Sequence, residues 1–304
     1  MEGVPQRTSE LNSMSLPTIK LLTPEWPDYE LLDTGDGLKL ERFAGKIIVR
    51  DEPKAWWKTS LPEKAWNAAC NKLDPKTGIT VGGTEHSWIM SLHSLKFRLK
   101  LTPGSRHVGA FPEMVPQWEW LQSHLKALPQ SKPKMLNLFG YTGIASVFGA
   151  ASGAEVTHVD ASRPSLDWAR ENTELNTASL GGGSVRWMLD DALDFVKREI
   201  RREKEYDVII LDPPSYGRGP KGQIWKTEEQ LYELLTSCKA LLGKQNALFI
   251  LTLYNLSISA YTLRNLLRQI YGVEDAGLEI GELALQDSSA GNILSLAQYA
   301  RFQR

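Results

Sequence analysis

The feature that most constrains the fold is an alternation of short apolar runs and longer amphipathic stretches that begins near residue 134. The runs predict strands over Met135–Phe139, Glu155–Asp160, Val185–Leu189, Asp207–Leu211 and Ala247–Leu253. Helices are predicted over Gly143–Ser152, Pro164–Asn176, Ala192–Arg202, Thr227–Leu242 and Ala260–Tyr271. A chain that returns through a helix after each strand builds a parallel sheet with helices on both faces. Leu278–Ala284 and Ile293–Phe302 have no helix between them and predict a closing strand pair, bringing the strand total to seven. The expected architecture is a Rossmann-like, doubly wound, mostly parallel α/β sheet. A lead-in helix over Pro112–Leu128 places Val115, Trp118, Leu121, Leu125 and Leu128 on one face, between Pro112 in its first turn and Pro129 beyond its end.

Residues 17–111 read differently, as a small β-rich domain with many Trp, Pro and Gly residues. Leu95, Phe97, Leu99 and Leu101 alternate with Lys96, Arg98 and Lys100, the pattern of a strand with one wet face. Gly35-Asp36-Gly37 marks a tight turn. Trp56, Trp57, Trp66 and Trp88 are expected in the core, since large aromatics supply much of a small domain's burial. The polar residues 1–16 lack an apolar h-region and read as a flexible tail rather than a signal peptide. The expected division is therefore 1–16, 17–111 and 112–304.

Composition excludes several classes. No apolar run approaches the roughly eighteen residues of a membrane helix. Cys70 and Cys238 lie far apart, without zinc-site spacing, and read as small hydrophobes in a cytoplasmic, reduced protein; no metal is expected. The net charge of −1 gives no bulk support to a nucleic-acid partner. The basic run Lys197–Lys204 is interleaved with Glu199 and Glu203 and reads as a solvated helix face.

In a doubly wound sheet, ligands bind beyond the carboxyl ends of the strands. The first strand ends in Phe139-Gly140-Tyr141-Thr142-Gly143, where two glycines let the backbone turn and approach a ligand beside a helix N-terminus. The second ends at Asp160, an acid suited to ribose hydroxyls, with Ser162 available to cap the next helix. The third ends in Asp190-Asp191-Ala192, where one carboxylate can meet an adenine amino group and the other can cap a helix. The fourth ends in Asp212-Pro213-Pro214-Ser215-Tyr216. The prolines stiffen the backbone so that neighbouring carbonyls can face an amino group, and Tyr216 can stack on a flat base. Tight packing, caps and an ordinary loop explain each feature singly; four in succession point to a nucleoside cofactor.

These residues resemble the class I S-adenosylmethionine-dependent methyltransferases. Asn137–Gly143 with the later Asp-Pro-Pro-Ser is similar to the bacterial group that contains the 23S ribosomal RNA large-subunit cytosine methyltransferase. The segment His107–Glu113, leading to Trp118 and Trp120, resembles the stretch that introduces the catalytic domain in that group. The resemblance implies S-adenosylmethionine as cofactor and ribosomal RNA as substrate. It implies that Phe139–Gly143 holds the methionine part, that Asp160 meets the ribose, and that Asp191 and Ala192 border the adenine. Asp212-Pro213-Pro214 would then face the methyl group and its acceptor.

One departure matters. Methylating carbon 5 of cytosine needs a thiolate, which the ribosomal RNA cytosine enzymes supply near the end of the fifth strand. Here that strand ends Thr252-Leu253-Tyr254-Asn255, without cysteine. Transfer to nitrogen or another acceptor that needs no thiol is expected instead, with Asp212 orienting an acceptor amine. Ser215, Arg218 and Lys221 are expected to contact the substrate from the Gly-rich stretch Gly217–Gly222, read as a mobile loop. The competing readings are a methyltransferase acting on protein or small molecules, a nicotinamide-dependent oxidoreductase, and a non-catalytic RNA-binding scaffold. The oxidoreductase lacks support because no GxGxxG loop follows the first strand.

Overall fold

The fold is taken from a computed structural model that describes residues 17–74, 78–81, 87–102, 106–254, 256 and 258–304. The expected tail over 1–16 lies outside them. The N-terminal part contains β1 (Ile19–Leu22), β2 (Tyr29–Gly35), β3 (Leu38–Phe43), β4 (Lys46–Asp51), α1 (Glu63–Trp66), β5 (Asn71–Asp74), β6 (Gly78–Val81), β7 (Ser87–Leu92) and β8 (Leu95–Lys100). After a 3-10 turn at Pro112–Met114 come α2 (Val115–Ala127), β9 (Lys134–Leu138), α3 (Ile144–Ala151), β10 (Glu155–Asp160), α4 (Arg163–Glu174), β11 (Ser184–Leu189) and α5 (Ala192–Arg201). Then follow β12 (Val208–Leu211), β13 (Tyr216–Arg218), β14 (Ile224–Lys226), α6 (Thr227–Leu241), β15 (Leu248–Tyr254), α7 (Ala260–Tyr271), β16 (Leu278–Gln286) and β17 (Ile293–Gln303).

The central sheet runs β1-β16-β17-β15-β12-β9-β10-β11. β9, β10, β11, β12 and β15 pair in parallel, and β17 runs antiparallel to both β15 and β16. The chain moves outward from β9 through β10 to β11, then returns to the other side of β9 with β12. The topological switch therefore lies between β9 and β12, and their carboxyl ends open a crevice. β12 is buried along its whole length, as a strand covered on both faces must be.

The sheet has eight strands rather than the seven expected, because β1 adds to its edge in parallel with β16. A strand that contributes only main-chain pairing at an exposed edge leaves no clear apolar signature, and β1 is largely exposed. The remaining N-terminal strands form a three-stranded meander, β2-β3-β4, and two hairpins. Asp36 and Gly37, with φ of 52° and 77°, make the two-residue β2–β3 turn.

The two parts of the chain share one apolar core. Phe97 of β8 and Trp118 of α2 both stack on Phe148 of α3, with ring centres 6.0 and 5.7 Å apart. Asn172 of α4 and Asn176, just beyond its end, accept from the β8 amides of Arg98 and Lys96, each at 2.8 Å. A buried ion pair stiffens the meander: Arg50 donates to both carboxylate oxygens of Glu41, at 2.6 and 2.7 Å.

The expectation for the tryptophans holds only in part. Trp88 is buried and Trp57 and Trp66 are half-buried, but Trp56 is 90% exposed. Ala55 is fully buried, while the Trp56 ring lies out in solvent and its indole N–H donates to the Pro53 carbonyl at 2.7 Å. Trp56→Ala should change stability by no more than about 0.5 kcal/mol in denaturant melts. A larger loss would place the ring against protein.

Candidate active site

At the switch point, a cavity of about 500 Å³ opens over the carboxyl ends of β9, β10, β11, β12 and β15. That volume falls in the range of small-molecule sites. Its wall begins with the loop after β9. Phe139 and Tyr141 both adopt left-handed backbone, with φ of 57° and 48°, an uncommon conformation for residues with a Cβ. The surroundings hold it: the Tyr141 amide donates to Asp160 Oδ2 at 2.8 Å, and the Gly140 amide donates to the Val159 carbonyl.

Gly140 is needed for close approach. A Cβ there would lie 2.6 Å from Nδ1 of His158, a ring buried beneath the loop and bonded to Ser146. Gly143 has φ of 76° and starts α3. Thr142 turns away from the cavity and donates its hydroxyl to the Gly109 carbonyl at 2.6 Å. Gly140 and Thr142 border a smaller adjoining void instead. Gly140→Ala should destabilise the protein by about 1–3 kcal/mol, because the His158 ring has no room to retreat. A melting temperature equal to the parent's would contradict this packing.

Asp160 lines the cavity at the end of β10. Its Oδ1 accepts from the Ser162 amide at 2.8 Å, while Ser162 Oγ caps α4 by accepting from Ser165. Asp160 is thus not free, but each oxygen spends only one lone pair on a backbone amide and keeps another for a hydroxyl. Burial pushes its carboxyl above the usual range. At the next strand end, Asp191 caps α5 by accepting from the Asp194 amide at 3.0 Å. Asp190 pairs with Arg198 and also accepts from the Asp191 amide. Asp191 and Ala192 both line the cavity.

Asp212, Pro213, Pro214 and Ser215 line the far end. Burial, and then the nearby Glu113 carboxylate, push Asp212 up to about 7. The stretch expected to be a mobile loop forms a β-hairpin, β13 paired with β14. Buried Trp225 anchors it, donating to the Pro214 carbonyl at 2.9 Å, and Gln223 ties it to Asp194 of α5. Glycines read as loop residues because their effect on local flexibility is legible, whereas the Trp225 anchor depends on packing. Arg218 lines the cavity mouth; exposed Tyr216 and Lys221 stand on the hairpin outside it.

The lining residues that were not singled out as site residues from sequence include the rings of His107, Phe111, Trp225 and Tyr254. The rings of His107 and Phe111 lie 5.1 Å apart, and Phe111 lies 5.7 Å from Tyr141 and 5.6 Å from Tyr254. Burial, then Arg50, lowers His107 to about 4, so the imidazole is neutral at pH 7. His107 and Phe111 precede the catalytic strands in sequence, and only folding brings them to the strand ends. Both cysteines are elsewhere: Cys238 is buried in α6, and half-buried Cys70 lies in the N-terminal part. No cysteine lines the cavity.

Comparison with known proteins settles the family. The model of the S-adenosylmethionine-dependent methyltransferase family matches residues 67–256, more than half of the chain. The chain belongs to this family. A crystal structure of the S-adenosylmethionine-dependent methyltransferase from Agrobacterium tumefaciens is 34% identical, with a TM-score of 0.86 over 96% of each chain. Curated relatives named ribosomal RNA large subunit methyltransferase K/L include one from Colwellia psychrerythraea, 32% identical over 69% of this chain and 30% of its own length. Another, from Alteromonas mediterranea, is 38% identical over 41% of this chain and 17% of its own length. The chain spans less than a third of the length of these curated relatives. It is an S-adenosylmethionine-dependent methyltransferase with a Rossmann-like sheet, and the oxidoreductase reading falls away. No helix among the described residues is long and apolar enough to cross a membrane.

Proposed function

We propose that this methyltransferase acts on RNA of the large ribosomal subunit in the cytoplasm, at a nitrogen rather than at cytosine carbon 5. The observation that carries the reading is a single cavity with Asp160 at one end and Asp212-Pro213-Pro214 at the other. The residues present fit the cofactor: Asp160 retains lone pairs for two ribose hydroxyls, and Asp191 and Ala192 line the same cavity.

In this reading the backbone of Phe139–Gly143 cradles the methionine part, with Phe139 and Tyr141 lining the cavity and the Thr142 side chain turned to Gly109, and Ser162 holds the turn after Asp160. Asp191 and Ala192 border the adenine. Bound S-adenosylmethionine supplies an electrophilic methyl on a sulfonium whose departure as a neutral thioether needs no metal. The chain's own task is positioning and desolvation. Asp212 accepts an N–H of the acceptor and takes up its proton as the new N–C bond forms, and Pro213 and Pro214 hold that segment stiff. Tyr216 stacks on a base, while Ser215, Arg218 and Lys221 meet the substrate backbone. The names of the curated relatives support ribosomal RNA, and the absence of a cysteine from the cavity supports nitrogen.

Mass spectrometry of ribosomal nucleosides from cells with and without the gene tests the reading. Loss of an N-methylated nucleoside is expected. Loss of 5-methylcytidine would overturn the nitrogen assignment, and an unchanged profile would move the acceptor to protein or a small molecule. Arg218→Ala with Lys221→Ala should weaken RNA binding and flatten its logarithmic salt dependence by about 1.4, two single-strand phosphate contacts at about 0.7 each. An unchanged slope in a salt titration would remove both residues from the phosphate path.

A further inference from the structure

We propose that Glu113 and Tyr254 form a positioning pair for the methyl acceptor: Glu113 accepts the hydrogen bond of the phenol, so that Tyr254 Oη presents its lone pairs near Asp212 and selects an acceptor nitrogen that carries N–H. This rests on the nitrogen reading above and deepens it by naming the class of nitrogen.

The geometry begins with the sheet. β12 and β15 are adjacent parallel strands with Leu211 opposite Leu251, so Asp212 lies level with Thr252 and Tyr254 follows two residues further along the same carboxyl edge of the sheet. Both line the cavity. Tyr254 ends the fifth strand of the catalytic sheet, the region where the cytosine enzymes are expected to carry their thiol. Its hydroxyl donates to Glu113 Oε1 at 3.1 Å, and Phe111 packs against its ring.

Glu113 is 3% exposed and lies in the turn before α2. Burial holds its carboxyl above the ordinary value, with buried Lys39 and Arg50 of the meander opposing that rise only in part. Burial and the carboxylates of Glu113 and Asp212 hold the Tyr254 phenol well above its ordinary value, so it stays protonated and donates. With its one proton committed to Glu113, the phenol oxygen of this lining residue has only lone pairs left and can meet a further partner as an acceptor only. Asp212, when ionised, is also an acceptor. Two acceptors at one end of the cavity fit a donor such as an exocyclic amino or amide nitrogen. A ring nitrogen without hydrogen would meet lone pair against lone pair.

Calorimetry with two cofactor analogues tests this without any acceptor. Sinefungin carries an amino group where the cofactor carries its reactive methyl, and S-adenosylhomocysteine carries nothing there. The amine should meet Tyr254 Oη and Asp212, and the ratio of the two affinities reports those contacts alone. Tyr254→Phe should lower the ratio by about tenfold, the effect of one hydrogen bond to a charged group. Glu113→Ala should lower it similarly, whereas Glu113→Gln, which keeps a carbonyl acceptor for the phenol, should retain most of it. The double variant Glu113→Ala/Tyr254→Phe should lose no more than Tyr254→Phe alone, because Glu113 acts through Tyr254. A ratio unchanged in Tyr254→Phe, or fully additive losses, would overturn the pair. RNA is not involved, so failure of the RNA reading leaves this result standing.

Discussion

Asp212→Asn is expected to lower the rate of methyl transfer by roughly 10³-fold while S-adenosylmethionine binding stays within a few-fold of the parent. Asparagine keeps the size and one carbonyl acceptor but cannot take the proton of the acceptor nitrogen, and general-base contributions are typically about 10²–10⁴-fold. The pH profile carries a second signature. Asp212 is pushed up to about 7 by burial and by Glu113, so the parent's rate should fall as pH drops below about 7. The asparagine variant should show no such inflection.

Stability should move the other way. Below pH 3.8 the carboxyl is neutral in the folded and unfolded chains alike. Between 3.8 and about 7 the unfolded chain releases the proton that the folded chain keeps, so stability falls as pH rises through that window. Above about 7 the loss is complete, with an upper bound of about 4 kcal/mol that water reaching the half-buried carboxyl reduces. Asp212→Asn should therefore melt at a higher temperature than the parent at pH 8, and at nearly the same temperature at pH 4. Equal melting at pH 8 together with full activity would show that Asp212 is neither strained nor catalytic.

Asp160→Ala is expected to weaken S-adenosylmethionine binding by about 10²-fold or more, read by calorimetry. Two hydroxyl bonds to a carboxylate are each worth about 1.5–3 kcal/mol. The substitution also removes the acceptor for the Tyr141 and Ser162 amides, so the strained loop loses its clamp. Asp160→Asn separates the two effects. It keeps one acceptor oxygen and should recover part of the loop order but little of the affinity. Parent-like affinity in the alanine variant would remove Asp160 from the cofactor site.

The strand ends were legible because each depends on local signals. β10 spans Glu155–Asp160 and α7 spans Ala260–Tyr271, as the hydrophobic periodicity predicts. Ser162 and Asp191 cap helices because their short side chains reach amides three residues on, a relation contained in a few consecutive positions. Trp56 was misread for the opposite reason. Residue type says that a tryptophan gains by burial, but only the backbone path of the loop decides which of two adjacent tryptophans can turn inward.

Taken alone, the amino-acid order determined the doubly wound sheet, the succession of acids and glycines at its carboxyl edge, and the lack of cysteine at the end of the fifth strand. Periodicity and turn chemistry act within a few residues, so they can be read along the chain. Tertiary structure alone decided that β1 completes the sheet, that the Gly-rich stretch is a hairpin pinned by Trp225, and that His107 and Phe111 wall the cavity. It also decided that Glu113 meets Tyr254 across 141 positions of sequence. These contacts join residues with no local relation, and their strength comes from burial that exists only once both parts of the chain have closed on one core.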